Sequence, residues 1–239
     1  MISPANNKSI VGIFQDSMLG SYRLTRENID FTPREAMNLL MAFDRVDVSN
    51  LPLSGRITNF DVISQILPPL SLKYKTSQFD KETDDFATSN KVLEIENGKY
   101  IRGQMDKGVL GAGSVGLIHR ICNDYGNMHS AAFIDDLQNI VTEYMKSSAY
   151  SVGISDLIAD DSTNEKIASV ITSKKKDVQS LIDMTHLGIF ENKTGRSNEV
   201  EFETQVNNVL GKALTEAGRI GLKSLSEDNR FVIMVNAGS

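Results

Sequence analysis

Three glycines near the middle of the chain have the spacing of a dinucleotide-binding loop. Gly111, Gly113 and Gly116 form the pattern G-x-G-x-x-G, after a strand-like run and before an apolar segment. In a dinucleotide-binding fold, glycines at this spacing let the backbone approach a pyrophosphate at the start of a helix. The same residues are also compatible with a structural turn, because one match to so short a motif is weak evidence.

The position about 20 residues further on helps to choose between the two interpretations. In a dinucleotide-binding fold, an acidic residue there ends the second parallel strand and binds the ribose. Asp135 and Asp136 occupy that position here, but they lie in a segment whose apolar residues recur at helical spacing. Upstream, Val92–Glu96 and Lys99–Met105 flank an Asn-Gly pair, which predicts an antiparallel hairpin. We therefore favour the turn and expect no NAD or NADP binding.

Other residues with catalytic or metal-binding potential are dispersed. Cys122 is the single cysteine, which excludes an intrachain disulfide and a cysteine zinc site. His119, His129 and His186 form no pair at the i, i+4 spacing of a helical metal site. The sequence also lacks an Asp-x-Asp group for magnesium and a phosphate loop with its lysine. The residues alone therefore identify no catalytic constellation.

Composition limits the class of protein. The 239 residues are 40% hydrophobic and 23% charged, which is typical of a globular chain with a sizeable core. A net charge of −6 and a pI near 5.2 argue against wrapping nucleic acid by bulk charge, so any such contact must be local. No apolar run reaches membrane-spanning length, and no signal peptide is recognisable. These features favour an intracellular protein without a membrane partner.

In the first part of the chain, short helices and strands must position the residues that have catalytic or binding potential. Ile10–Phe14 is predicted to be a buried strand, followed by a helix. Two capping boxes begin further helices at Thr32 and Thr58. The first helix is predicted to run through Phe43, and the second to stop before Pro68. We expect a mixed α+β domain over residues 1–149.

The organisation changes near residue 150, and residues 150–239 are predicted to form an all-α domain. Apolar residues at helical spacing predict an antiparallel hairpin over about 164–225, with helices of about 20 and 28 residues. Its polar turn is placed at Glu191–Ser197. The predicted seam comprises Ile167, Val170, Ile171, Val178, Leu181 and Ile182 of one helix, the stem of Lys174, and Phe202, Val206, Val209, Leu210, Ala213, Leu214, Ala217 and Ile220 of the other.

Five segments, taken in order, resemble the largest subunit of multisubunit DNA-directed RNA polymerases, in the part that follows its catalytic motif. The fourth of them is more similar to eukaryotic RNA polymerase II and related viral enzymes than to bacterial ones. The segments are ISPANNKSIVGIFQDSMLGSYRLT (Ile2–Thr25), LSGRITNFDVISQILP (Leu53–Pro68), GVLGAGSVGLIH (Gly108–His119), YSVGISDLIAD (Tyr150–Asp160) and MVNAGS (Met234–Ser239).

The resemblance implies a pore domain over residues 1–149 and a funnel domain over residues 150–239. In that family nucleotides enter through the pore, the RNA 3′ end is extruded there during backtracking, and the funnel hairpin lines the outer mouth. The three glycines then form a tight connection into a helix at Leu117, with glycine supplying backbone freedom. A stand-alone helical hairpin that docks a partner protein is the alternative function, and a dehydrogenase is a distant third.

The resemblance also implies which residues face the channel. Gln15 and Asp16 match the family's Gln-Asp pair beside the active centre. Ala237, Gly238 and Ser239 match a tail that continues, in the family, into a lysine or arginine near the nucleotide triphosphate. Asp16 has a simpler interpretation as well, because an aspartate at a helix start can cap that helix whatever its function.

Magnesium and the partners are implied only for the whole enzyme. The family's metal-binding motif, Asn-Ala-Asp-Phe-Asp-Gly-Asp, is not in this sequence, so we expect a fragment that holds no cofactor and is inactive alone. The implied partners are other polymerase subunits, especially the second-largest, with template DNA, RNA, and a transcript-cleavage elongation factor contacting Lys193 and Arg196. The implied location is the nucleus for a cellular eukaryotic enzyme, and the host nucleus, cytoplasm or virion for a viral one.

Overall fold

A computed structural model of the protein describes residues 1–43, 46–47, 49, 51–52, 55–192 and 194–238. The fold is α+β, as predicted, with short strands and a predominantly helical second part. Two compact units are present, one of residues 1–151 with 233–239 and the other of residues 152–232. The assignment of a pore and a funnel domain stays a prediction.

Short strands and helices alternate along the first unit, whereas the described part of the second unit is helical. The first unit contains α1 (Gln15–Leu24), β1 (Asp30–Phe31), α2 (Pro33–Leu40), β2 (Ile57–Thr58), α3 (Asn59–Ser64), β3 (Leu72–Lys75), β4 (Val92–Glu96), β5 (Lys99–Arg102), α4 (Lys107–Leu110), α5 (Leu117–Tyr125) and α6 (Asn127–Ser148). The second contains a 3₁₀ turn (Ile154–Leu157), α7 (Asp161–His186) and α8 (Asn198–Ser224). Helix α9 (Arg230–Ala237) returns the chain to the first unit from Ile233 onward.

The described strands pair antiparallel. Strand β1 pairs with β2, and β3, β4 and β5 form a three-stranded sheet in that order. The predicted β4–β5 hairpin is confirmed, and it turns at Asn97 and Gly98, whose φ angles of 47° and 79° suit a two-residue primed turn. Strand β5 ends at Arg102 and not at Met105, because the Met105 amide donates to Thr25 Oγ1 at 2.9 Å.

Both predicted capping boxes are formed. The amide of Glu35 donates to Thr32 Oγ1 at 3.3 Å, and the amide of Asp61 donates to Thr58 Oγ1 at 3.1 Å. In each box the acidic side chain accepts from the backbone amide of the capping threonine. Helix α2 ends at Leu40, earlier than the predicted end at Phe43.

The core of the first unit lies between its helices and its small sheets. Helix α1 packs closely on α6, since a Cβ placed on Gly20 would lie 2.4 Å from Val141 Cγ1. Asn59 is buried and donates from Nδ2 to the carbonyls of Leu24 and Arg26, at 2.6 and 2.8 Å, so α3 is tied to the end of α1. Helix α1 therefore has a fixed position in the unit.

The prediction of a buried strand at Ile10–Phe14 is wrong. No strand forms there, and Ile10 and Phe14 are 64% and 53% exposed. Only Ile13 is buried, and its amide donates to the carbonyl of Leu110 at 2.9 Å. An apolar run becomes a strand only when another strand lies beside it. Here the run lies beside the loop that contains Gly111, Gly113 and Gly116, the glycine loop.

Two tyrosines of the sheet with buried hydroxyl groups give a testable contrast. Tyr100 Oη donates to the Gly103 carbonyl at 2.6 Å, whereas the buried Tyr74 Oη has no hydrogen-bond partner among the described residues. We expect Tyr74→Phe to leave stability unchanged or raise it by about 1–2 kcal/mol, and Tyr100→Phe to lower it by about 1–3 kcal/mol. Urea denaturation followed by circular dichroism measures both. An equal loss in the two variants would contradict the contrast.

The same tyrosines predict alkaline sensitivity. Burial raises the pKa of Tyr74 and of Tyr100 above the usual value near 10. A raised folded-state pKa means that the stability contribution is complete below about pH 10 and is lost as the pH rises through the folded-state pKa. Tyr74→Phe should therefore shift the alkaline loss of stability to higher pH.

Candidate functional site

The first turn of α1 presents two polar side chains to solvent. Gln15 and Asp16 are both exposed, and Gln15 has a φ angle of 51°. Phe14 occupies the N-cap position, and no side chain caps this helix. Asp16 therefore does not act as a capping residue, although its charge suits the positive end of the helix dipole.

The glycine loop lies against the segment that precedes α1. The Ser9 amide donates to the Gly113 carbonyl at 3.0 Å. A Cβ on Gly12 would lie 2.6 Å from the Ala112 amide nitrogen, closer than side chains are found. The loop thus fixes the backbone that leads into Gln15.

Close backbone approach explains two of the three glycines. A Cβ on Gly111 would lie 2.5 Å from the Lys107 carbonyl oxygen, and one on Gly116 would lie 2.7 Å from the Val109 carbonyl oxygen. Their φ angles are −74° and −69°, which any residue adopts, so the expected reason, backbone freedom, is wrong for both. Nothing lies within 4 Å of a Cβ built on Gly113.

The end of α9 lies next to α1 and the first residue of α4. Ala237 is fully buried in a cluster with Leu19, Tyr22 and Ile233, so its methyl group is not open to solvent. Gly238 has a φ angle of 79°, and a Cβ there would lie 2.6 Å from Lys107 Cβ. Glycine is therefore required at position 238 for both its φ angle and its contact. Ser239 lies outside the described residues.

The helical arm of the second unit is the predicted hairpin. Helices α7 and α8 have 26 and 27 residues, so each is about 40 Å long at 1.5 Å per residue. Lys174 is only partly exposed and lies 3.9 Å from Glu216 of the facing helix, as expected for a side chain along the seam. The predicted seam is too wide, because Ile171, Leu210 and Leu214 are 41%, 48% and 78% exposed.

Hydrogen bonds join several of the described residues near the tip of this arm. Glu201 is buried and accepts from Thr194 Oγ1 at 2.6 Å and from Gln205 Nε2 at 2.8 Å. These two bonds, together with the charge of Arg196, lower the pKa of Glu201. Arg196 is exposed, and Lys193 lies outside the described residues. Sequence reasoning missed Glu201, although its place in the first turn after the Ser197 cap was a signal.

Neither a metal site nor a membrane helix is present in the part of the chain that the structure describes. No group of three or more His, Cys, Asp or Glu side chains there is arranged to hold a metal ion. The described helices likewise lack the combination of length and apolar character needed to cross a bilayer.

Comparison with known proteins identifies the family. Residues 1–157 match the family described as RNA polymerase Rpb1, domain 3. The chain belongs to this family. The resemblance to the largest subunit of DNA-directed RNA polymerase is confirmed.

Curated relatives align with the whole chain. RNA polymerase II subunits RPB1-A and RPB1-B of Trypanosoma brucei brucei are 29% identical over 244 residues. RNA polymerase subunit Rpo1N of Halobacterium salinarum is 26% identical over 248 residues. The chain spans 13% of the length of the trypanosome relatives and 24% of the archaeal one.

Proposed function

We propose that this part of the Rpb1 family forms the pore and funnel of a DNA-directed RNA polymerase, through which nucleotides reach the active site and the RNA 3′ end is extruded during backtracking. The observation that carries the proposal is the alignment of the whole chain with polymerase subunits. That alignment does not favour a stand-alone interaction module. A dehydrogenase is not supported either, because the described strands are antiparallel.

In this proposal the channel is lined by Gln15 and Asp16 of α1 and by the tail at Ala237, Gly238 and Ser239. The exposed side chains of Gln15 and Asp16 offer the two N–H donors of one amide group and several acceptors to nucleotide hydroxyl and base groups. The buried Ala237 contributes through its backbone and through the position that it gives to Gly238. Catalytic magnesium belongs to the whole enzyme, and the 239 residues alone are inactive.

The proposed partners follow from the same family. They are the other polymerase subunits, especially the second-largest, with template DNA and RNA in the assembled enzyme. For a cellular eukaryotic enzyme the location is the nucleus, and for a viral enzyme it is the host nucleus, the cytoplasm or the virion. No membrane partner is proposed.

The tip of the arm is the proposed docking site for a transcript-cleavage elongation factor, because Arg196 is exposed there and the sequence of the turn contains a second basic residue, Lys193. Charge reversal at Lys193 and Arg196 in the assembled polymerase should lower factor-stimulated RNA cleavage about tenfold, since charges at the rim of an interface control the encounter rate. Ordinary elongation should change little. Cleavage of stalled transcripts at several factor concentrations measures the effect.

Two control variants make this test specific. Arg196→Gln removes the positive charge without placing a second negative charge near Glu201, so it separates lost attraction from a disturbed turn. Lys175→Glu and Lys176→Glu reverse exposed charges in the middle of α7 and should leave cleavage unchanged. If the tip variants cleave stalled transcripts normally at physiological salt, the tip is not the docking site. A purely structural role for the arm would then be the better account.

A further inference from the structure

The turn between β4 and β5 contains the only Asn-Gly pair of the sequence, at Asn97 and Gly98. This pair favours spontaneous succinimide formation, because the residue after the asparagine has no side chain to hinder its backbone nitrogen. In the reaction, the glycine nitrogen loses its proton and attacks Cγ of the asparagine, a C–N bond forms, and ammonia leaves. Water then opens the ring at either carbonyl and yields aspartate or isoaspartate. The turn therefore carries the groups of a self-modification reaction.

Water reaches these groups, and the turn needs the same two residues for its shape. Asn97 is exposed and lies with Gly98 and Lys99 at an open surface groove. The φ angles of Asn97 and Gly98, 47° and 79°, lie in the left-handed region, which asparagine and glycine adopt more readily than other residues. The residues that form the hairpin turn are therefore also the reactive pair.

Two hydrogen bonds hold the pair in an unreactive arrangement. The Gly98 amide donates to the Leu70 carbonyl at 2.8 Å, and the Asn97 amide donates to Ser71 Oγ at 2.8 Å. The glycine nitrogen must lose its proton before it attacks, and a proton bound to a carbonyl oxygen is protected from solvent until the structure opens locally. The bond at Asn97 restrains the backbone that must rotate to bring this nitrogen to Cγ.

Both acceptors belong to the segment 68–71, which precedes β3 and is itself anchored. Tyr125 Oη of α5 donates to the Pro69 carbonyl at 2.7 Å. A Cβ on Gly98 would lie 3.0 Å from the Pro68 carbonyl oxygen, so the turn packs closely on this segment. The turn and the segment must separate before the ring forms. The rate of modification is therefore the intrinsic rate multiplied by the fraction of molecules that are open.

We propose that Asn97 is a site of spontaneous modification, and that opening of the segment 68–71 from the hairpin turn sets its rate. The modification is a permanent mark of that opening. Isoaspartate adds one carbon atom to the backbone of a turn whose register pairs Glu96 with Lys99. It also adds a carboxylate to the turn. The longer backbone no longer matches the two-residue geometry, so the modified hairpin is less stable than the parent.

The test incubates the purified protein at physiological pH and measures ammonia release and isoaspartate at position 97 by peptide mapping with mass spectrometry. The same incubation in urea gives the intrinsic rate, because the unfolded chain has lost both hydrogen bonds. We expect the folded protein to react at least about tenfold more slowly, since each hydrogen bond contributes a factor of about five. Equal rates in the two states would overturn the inference, as would an unmodified position 97 in urea.

A serine variant tests the restraint itself. Ser71→Ala removes the acceptor of the Asn97 amide and should raise the rate in the folded protein about fivefold, while the rate in urea stays the same. Ser89→Ala is the matched control, since that hydroxyl accepts from the Lys91 amide at 3.1 Å, just before the other end of β4. The control should leave the rate at Asn97 unchanged. An unchanged rate in Ser71→Ala, or an equal rise in both variants, would overturn the inference.

Two more variants test the anchor and the reacting residue. Tyr125→Phe removes the bond to Pro69 without changing the turn, and it should also raise the rate in the folded protein, by up to about fivefold. Asn97→Gly keeps the turn, because glycine also adopts a positive φ angle, and removes the side-chain amide. Isoaspartate in this part of the chain should then disappear. Isoaspartate that persists in Asn97→Gly would place the reaction at another residue and overturn the assignment.

Discussion

We expect Val206→Asp to unfold the arm formed by α7 and α8. Val206 is half-buried in the seam between the two helices. A carboxylate there would lose much of its hydration without gaining a cation, which costs about 3 kcal/mol or more. The seam is narrow, so few other contacts can compensate. Loss of helical circular dichroism and new protease cleavage within residues 161–224 would show the unfolding.

A control on the same helix makes the result interpretable. Leu214 is 78% exposed, so Leu214→Asp puts the same charge on the outer face of α8. Its effect should stay within about 0.5 kcal/mol of zero, as for most surface substitutions. An arm that tolerates Val206→Asp, or one that Leu214→Asp unfolds equally well, would show that the seam lies elsewhere.

The contrast between these residues shows what periodicity can predict. Val206 and Leu214 both occur at helical spacing in one apolar stripe, and the stripe correctly predicted the helix and its pairing. Which members of the stripe become buried depends on how the partner helix crosses it. That crossing is a property of two helices together, so the exposure of Leu210 and Leu214 was not predictable from α8 alone.

Local signals predicted structure well where the determining contacts are local. The capping boxes at Thr32 and Thr58 and the Asn-Gly hairpin turn each depend on residues within a few positions of one another. The run at Ile10–Phe14 failed as a strand because strand formation needs a distant partner, and composition does not report one.

The residues of the candidate site also fall into two groups, those that the sequence indicates and those that only the folded chain shows. Family resemblance predicts that Gln15, Asp16 and the tail face the channel, because their segments match the family's motifs, and this stays a prediction. Asp106 has no motif of its own. It is buried, and its carboxylate accepts from the Ser77 amide, a partner that only the folded chain brings beside it.

The second large effect that we expect is a loss of stability when Gly116 of the glycine loop is substituted. A Cβ on Gly116 would lie 2.7 Å from the Val109 carbonyl oxygen, and backbone atoms of α4 cannot move aside as a flexible side chain can. We therefore expect Gly116→Ala to lower the free energy of unfolding by about 1–3 kcal/mol, as overpacking does in a core. Urea denaturation followed by circular dichroism measures the loss.

Gly113→Ala is the matched control within the same loop, and it also separates the structural turn from a dinucleotide site. Nothing lies within 4 Å of a Cβ at position 113, so the variant should be neutral or up to about 1 kcal/mol more stable, because alanine restricts the unfolded chain. In a dinucleotide site the middle glycine is the one that the pyrophosphate approaches, so position 113 would be the intolerant one for binding. Micromolar NAD binding that Gly113→Ala abolishes would overturn the turn interpretation. A loss of stability at position 113 equal to that at position 116 would show instead that the loop packs against a surface outside the described contacts.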